Sequence, residues 1–223
     1  MRSFGEIMAI AELHKGGASA VDALLPEVKT EAALKAVSDD RYLSEMSRRI
    51  FRAGLKHSVV DARWPAFEKA FWHFDPAKLE LLSDEQLERL AADKTIIRHL
   101  GKIRAVRTNA MIVRQISREA GSVGGFLAEW PTDNIVGLWG YLKKHGAQLG
   151  GDSAARFLRM VGKDTFILTN DVVAALVYDQ VVDKKPSSQK ALAQVQEVFN
   201  TWQQETGLPL AHLSRILSMT VFS

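Results

Sequence analysis

Apolar residues in this chain recur at intervals of three and four, and almost nowhere at intervals of two. The segment from Leu34 to Ile50 follows this spacing, which is that of one buried helix face. Ser83-Asp84-Glu85-Gln86 forms a capping box ahead of Leu87, so a helix is predicted to start there. Later helices are predicted around residues 125–145, 152–161, 170–180, 186–205 and 209–220. The pattern predicts an all-α fold of many short helices.

Composition limits the kind of protein that this chain can form. Its 223 residues are 47% hydrophobic, enough for one sizeable core or two small lobes. No apolar run approaches the ~18 residues that a membrane span needs, and the first residues lack the order of a secretory signal. We therefore expect a soluble, cytoplasmic protein.

Metal and redox sites that depend on cysteine are excluded, because the chain contains no cysteine. His14, His145 and His212 have no partners at the spacing of metal ligands. No metal site is predicted.

Positive charge is concentrated in one part of the chain, although the net charge is only +3. Basic residues follow near-helical spacing at Arg98, His99, Lys102, Arg104, Arg107, Arg114 and Arg118. This pattern is typical of a solvated helix face or of a surface that faces nucleic-acid phosphates. Under the second interpretation, Arg98 and Lys102 contact DNA.

A glycine pair at Gly150-Gly151 separates two predicted helices. Such a turn lets backbone N–H groups approach a DNA phosphate, with Ser153 at the start of the next helix. A glycine pair of this kind is more often simply a helix end and loop. Asp171 follows Gly151 by twenty positions, and its residue type suits the cap of the helix that begins nearby.

Four motifs carry a resemblance to a known family. They are Ala53-Gly54-Leu55, Trp64-Pro65-Ala66-Phe67, His73-Phe74-Asp75-Pro76 and the run from Ile96 to Ile103. In order and spacing they resemble the 3-methyladenine DNA glycosylase I family, a branch of the helix-hairpin-helix base-excision glycosylases. The resemblance is strongest over residues 50–115. It implies two helical lobes that flank a cleft, with an added extension at residues 1–40, a lobe at 41–145 and a hairpin and catalytic region at 146–223.

The same resemblance implies a function. A member of this family flips an alkylated, cationic purine such as 3-methyladenine out of double-stranded DNA and hydrolyses its N-glycosidic bond, which is a step of base excision repair. Asp171 would be the catalytic residue, and the protein would act as a monomer without a cofactor. The region Asp152-Ser153-Ala154 lacks the lysine of bifunctional relatives, so a monofunctional enzyme is expected. A non-catalytic DNA damage or structure binder and a helical protein adaptor are the alternatives.

The base pocket departs from the family pattern. Its residues are predicted to be Tyr42, Glu45, Arg49, His57 and Trp64. His57 stands where the family has a tryptophan, and Arg49 stands where it has a glutamate that recognises the base. Glu45 shares a helix face with Arg49, which suits an ion pair or a displaced recognition carboxylate. The cysteines and histidines that hold the family's zinc are absent. Near the C-terminus, His212 and Ser214 are further candidates for DNA contacts.

Overall fold

The computed structural model describes residues 1–221, which fold into fourteen α-helices with no strand among them. The first seven are α1 (Phe4–Lys15), α2 (Ala18–Asp22), α3 (Glu31–Lys35), α4 (Asp39–Arg52), α5 (His57–Ala70), α6 (Pro76–Leu79) and α7 (Asp84–Ala92). The others are α8 (Leu100–Ala120), α9 (Val123–Glu129), α10 (Ile135–His145), α11 (Ser153–Val161), α12 (Asn170–Tyr178), α13 (Gln189–Thr206) and α14 (Leu210–Ser218). The all-α prediction is confirmed.

The helix ends follow local chemistry. The predicted capping box forms: Ser83 Oγ accepts from the Gln86 backbone N–H at 3.3 Å, and Gln86 Oε1 accepts from the Ser83 N–H at 2.8 Å. The single helix predicted over residues 125–145 is interrupted, because α9 ends before Pro131, which cannot donate a helical hydrogen bond. None of the helices described in residues 1–221 is long and apolar enough to cross a bilayer.

The chain divides into two compact units, and each is described separately. Unit 1 contains residues 1–29, 131–138 and the described residues from Gly162 onward. Unit 2 contains residues 30–130 and 139–161. The N-terminal helix α1 shares a core with α13, and the Gly150-Gly151 turn belongs to unit 2.

Unit 1 is built on aromatic contacts that α13 makes with α1 and with the segment before α12. Phe4 of α1 packs against Trp202 of α13, with ring centroids 5.7 Å apart, and Phe166 stacks on Phe199 at 4.4 Å. The Asp164 carboxylate accepts from the backbone N–H groups of Leu210 and Ala211 at 3.0 and 2.8 Å. This carboxylate satisfies the N-terminus of α14, since the first N–H groups of a helix have no partner within it.

Unit 2 is organised around α4, which packs against α5, α8 and α11. Phe51 of α4 takes part in an aromatic cluster that is almost fully buried. The other members are Trp64, Phe67, Phe71 and Phe74. The rings of this cluster follow one another at centroid distances of 4.5 to 6.4 Å. Burial of such rings is a large part of what stabilises a core of this size.

The packing of α9 on α3 gives a stability test. A Cβ atom at Gly124 would lie 2.4 Å from the Leu34 carbonyl oxygen, whereas one at Gly140 would meet no atom within 4 Å. We expect Gly124→Ala to lower the free energy of unfolding by about 1–3 kcal/mol. Gly140→Ala, the matched control in α10, should raise it by up to about 1 kcal/mol, because alanine favours a helix over glycine. Urea unfolding measures both, and a Gly124→Ala variant as stable as the control would contradict this packing.

Candidate functional site

A buried lysine holds the end of α4. Lys102 Nζ donates to the carbonyl oxygens of Ala53 at 2.6 Å and Phe51 at 3.3 Å. Lys102 is only 8% exposed. Burial lowers the pKa of Lys102, and the nearby charge of Arg49 lowers it further. The prediction that Lys102 contacts DNA is therefore wrong, because its ammonium group is enclosed and bound to the backbone.

The turn that Lys102 holds lines a shallow pocket of about 520 Å³ in unit 2. Its walls come from the last turn of α4, the segment that follows it, and the start of α11. We call it the arginine pocket, lined by Arg49, Arg52, Ala53, Gly54, Leu55, Lys56, His57, Asp152 and Arg156. It contains four permanently basic side chains, one carboxylate, and no Phe, Tyr or Trp.

Arg49 is the most constrained group of the arginine pocket. Its Nε is buried without a hydrogen-bond partner, and the guanidinium forms no ion pair within residues 1–221. Burial lowers the pKa of Arg49, and the neighbouring charge of Arg156 lowers it further, whereas Asp152 opposes the shift. The exposed ring of His57 lies at the start of α5 and lines the same pocket. These two predicted residues are brought together.

Arg52 differs from Arg49 because its charge is compensated. The Arg52 guanidinium donates to both carboxylate oxygens of Asp61, each at 2.7 Å. This bidentate pair ties the end of α4 to α5. The uncompensated charge of the pocket is therefore that of Arg49, Lys56 and Arg156, for which the structure gives no hydrogen-bond or ion-pair partner.

The predicted hairpin lies beside the arginine pocket. Asn109 fixes the chain before the hairpin, since its side chain accepts from the Ala147 N–H at 2.8 Å and donates to the Ala147 carbonyl at 3.2 Å. Gly150 and Gly151 are exposed, and Gly151 has φ +56° with open space around a Cβ position. Ser153 begins α11. The turn leaves backbone accessible, as a phosphate-binding hairpin requires.

Trp64 lies in the aromatic cluster and also lines a second pocket of unit 2, of about 600 Å³, together with Arg48 and Glu68. It is 4% exposed, its ring stacks on Phe74 with centroids 5.3 Å apart, and the Arg48 guanidinium lies 4.9 Å from its centroid. Its indole Nε1 donates to Ser44 Oγ at 3.0 Å. Trp64 is not part of the arginine pocket, and its role in a base pocket stays a prediction.

The other two predicted pocket residues also have structural partners. Tyr42 is fully buried, and its hydroxyl donates to the Leu34 carbonyl at 2.8 Å, so its placement in a base pocket is wrong. Glu45 pairs with Arg48 at 2.9 Å rather than with Arg49. Burial raises the pKa of Glu45, although Arg48 and Arg52 oppose that shift.

A second polar network surrounds Glu68. The Arg41 guanidinium donates to both Glu68 oxygens at 2.9 Å, and Ser44 Oγ donates to Oε1 at 2.6 Å. Arg41 also donates to the His73 carbonyl at 2.6 Å. His73 belongs to the His-Phe-Asp-Pro motif and lies in a turn of three left-handed residues, with φ of 47°, 55° and 58°. The network thus fixes a turn that costs backbone energy.

The basic residues of α8 and of the segment just before it fall into two groups. Arg107 pairs with Asp84 at 2.8 Å, and Arg114 and Arg118 pair with Glu80 at 3.2 and 3.6 Å. For these three the solvated and internally paired helix face is the correct interpretation. Arg98 and Arg104 are exposed and have no such partner in the described chain. A DNA contact by Arg98 stays a prediction.

Asp171 and Ser214 lie in unit 1. Thr169, not Asp171, caps α12, because Thr169 Oγ1 accepts from the Val172 N–H at 3.2 Å. The Asp171 carboxylate is half-buried in the first helical turn, with no hydrogen bond or ion pair to the residues that the structure describes. Ser214 is 2% exposed and donates to the Ala211 carbonyl at 3.2 Å, so its predicted DNA contact is wrong. The imidazole Nε2 of His212 lies 2.9 Å from the Pro26 carbonyl.

The sequence did not reveal that Arg156 is a positively charged neighbour of Arg49. Arg156 follows Asp152 by one helical turn, a spacing visible in the sequence. Its approach to Arg49 depends on how α11 packs on α4, for which the sequence carries no local signal. Within residues 1–221, no group of three or more His, Asp or Glu side chains could hold a metal ion.

The family model described as methyladenine glycosylase matches residues 32–148, just over half of the chain. The chain belongs to this family. The matched segment contains the motifs from Ala53 to Ile103 and most of unit 2. A curated relative, DNA-3-methyladenine glycosylase 1 of Escherichia coli (strain K12), is 37% identical over 67 residues, 30% of this chain. The alignment spans 36% of that relative's length, about a third.

Solved structures share the fold at low identity. The 3-methyladenine DNA glycosylase I of Staphylococcus aureus matches with a TM-score of 0.52 and 20% identity, over 64% of this chain and 82% of that one. The 8-oxoguanine DNA glycosylase of Methanocaldococcus jannaschii matches with a TM-score of 0.54 and 18% identity, over 95% and 91%. The chain therefore has the helical fold of DNA glycosylases.

The Glu68 network predicts a pH-dependent contribution to stability. Burial raises the pKa of Glu68, but hydrogen bonds from Arg41 and Ser44 outweigh it, so the folded pKa lies below the unfolded one. Ionised Glu68 therefore stabilises the fold above its unfolded pKa of about 4.3, and this contribution is lost as pH falls through the folded pKa.

We expect Glu68→Gln to lower the free energy of unfolding at pH 7 by about 1–3 kcal/mol, and the difference from wild type to shrink below about pH 4. Urea unfolding across this pH range measures both effects. Glu129→Gln is the control, since that side chain is 70% exposed in its pair with Lys35. An equal, pH-independent loss in both variants would contradict the network.

Proposed function

We propose that this protein is a monofunctional DNA glycosylase that excises alkylated purines such as 3-methyladenine from double-stranded DNA in base excision repair. Membership of the methyladenine glycosylase family over residues 32–148 is the observation that carries this proposal. The accessible turn at Gly150-Gly151, next to a pocket rich in arginine, supports DNA as the substrate. The enzyme would act as a monomer, without a cofactor, in the cytoplasm.

Asp171 is the proposed catalytic carboxylate. Cleavage of the N-glycosidic bond develops positive charge on the sugar, and a carboxylate can stabilise that charge and orient the attacking water. The side chain suits this role because Thr169 takes over the helix cap and leaves the Asp171 carboxylate unengaged. An alkylated purine that already carries positive charge leaves without strong protonation, so one carboxylate is enough.

A hydrolytic mechanism predicts an intact abasic site as product. Lysine is absent from Gln148 to Ala154 around the hairpin, so this turn offers no amine for a Schiff base with the sugar. We expect free base without strand cleavage and no covalent protein–DNA adduct after borohydride treatment. A borohydride-trapped adduct formed on damaged DNA would exclude the monofunctional mechanism.

The catalytic assignment is tested by release of free methylated bases from alkylated duplex DNA under single-turnover conditions. We expect wild type to release 3-methyladenine and Asp171→Asn to do so at least about 100-fold more slowly, because the charge that stabilises the transition state is lost. Asp183→Asn, which removes an exposed carboxylate in the same unit, should release at the wild-type rate.

The outcomes separate the remaining alternatives. Equal rates for the Asp171→Asn variant and wild type would overturn the role of Asp171 and leave the glycosylase proposal intact. DNA binding without release of any base by wild type would favour a non-catalytic damage binder instead.

A further inference from the structure

The arginine pocket contains a partly buried guanidinium group whose Nε has no hydrogen-bond acceptor in the described chain. Arg49 is half-buried at the end of α4, with its Nε enclosed and unpartnered. A buried donor without an acceptor destabilises a fold, and such groups call for a ligand or another specific reason. Arg52 in the same turn differs, because its guanidinium donates to both oxygens of Asp61 and its charge is paired with that carboxylate.

A second unpaired guanidinium comes from a different helix. Arg156 of α11 lines the same pocket and lies close enough to Arg49 to lower its pKa. The structure gives Arg156 no ion pair, and Lys56 adds a further positive charge on the exposed turn. Repulsion between these groups persists in the free protein and would be relieved by an anion between them.

The lining of the pocket indicates which chemical group it takes. A cationic base would be repelled by Arg49 and Arg156, and a flipped base needs an aromatic surface that this lining lacks. Two guanidinium groups are instead well suited to a phosphate, which accepts paired hydrogen bonds in the fixed geometry of arginine. Asp152 is the one carboxylate in the lining, and the combined charge of Arg49, Lys56 and Arg156 exceeds what it can balance.

The position of the pocket indicates that the phosphate belongs to a nucleic acid. Asp152 directly follows the exposed Gly150-Gly151 turn, so the pocket is continuous with backbone that DNA can approach. Its open side faces solvent along the exposed stretch from Gly54 to His57. A polymer could therefore pass across the pocket while one phosphate occupies it.

We propose that the arginine pocket binds a backbone phosphate of DNA, with Arg49 and Arg156 as its two anchors. This inference rests on the proposed function only in taking DNA as the ligand. It assigns Arg49 to positioning the duplex and removes it, with His57, from recognition of the damaged base.

The test is the salt dependence of duplex binding, measured by fluorescence anisotropy without any excision step. Undamaged DNA and DNA with a tetrahydrofuran abasic analogue are compared for wild type, Arg49→Gln and Arg156→Gln. Each variant should weaken binding to both duplexes equally, about five- to tenfold near physiological salt, and reduce the slope of log K against log salt by about one. Arg89→Gln, which removes an exposed arginine of α7, should change neither quantity.

Three results would overturn the proposal. Weaker binding to the abasic duplex alone, with an unchanged salt slope, would place Arg49 at the lesion instead of a phosphate. Wild-type affinity in both variants would exclude a DNA contact. Inorganic phosphate that perturbs the Arg49 side-chain NMR signal, while DNA affinity is unchanged in Arg49→Gln, would identify a site for free phosphate only.

Further variants and readouts separate the phosphate site from effects on folding and on catalysis. Arg49→Lys keeps the charge without the paired donors and should retain most of the salt slope, and Arg156→Gln tests the pocket if Arg49 variants do not fold. Because anisotropy reports binding alone, a wild type that releases no base but shows the expected salt slopes would refute the glycosylase and leave the phosphate site standing. Normal base release by wild type, with unaltered salt slopes in the Arg49 and Arg156 variants, would support the glycosylase and refute the phosphate site.

Discussion

The bond from Lys102 to the end of α4 underlies the whole candidate site. Helices leave their last carbonyl groups without partners, and here one ammonium group satisfies two of them at the point where the chain turns toward Gly54. The turn then positions Arg49 and Arg52 on one side and His57 on the other. Burying the lysine costs hydration energy, which two carbonyl hydrogen bonds offset only if the turn keeps this geometry. The arginine pocket therefore depends on a residue that contacts no ligand.

In unit 2, arginines that pair with a carboxylate have a different role from arginines that do not. Arg41 is satisfied by Glu68 and Arg52 by Asp61, so these two guanidinium groups stabilise the fold. Arg49 and Arg156 have no such carboxylate partner, and the surface they share has excess positive charge. A cationic purine and this surface repel each other. The proposed substrate and the proposed phosphate site together require the damaged base to be recognised outside the arginine pocket.

The sequence was sufficient for the fold class and for most helices, because helical spacing and caps such as Ser83 are local signals. It also located the Gly150-Gly151 turn and brought Arg49 and His57 into one site through their family positions. It failed for Tyr42, Lys102 and Ser214. Each of these side chains can serve a site or a core, and the choice depends on packing between helices that are distant in sequence. Arg156 was missed for the same reason, since only the contact of α11 with α4 places it beside Arg49.

The most direct test of this account is amide hydrogen exchange of the protein with and without a duplex that contains a tetrahydrofuran abasic analogue. The proposed backbone phosphate contacts lie on unit 2, so binding should slow exchange in two segments together, residues 53–57 and 150–156. The exposed stretch of α7 around Arg89 should exchange at an unchanged rate. Protection confined to other parts of the chain, with both of these segments unaffected, would contradict the claim that the arginine pocket and the hairpin form the DNA-binding surface.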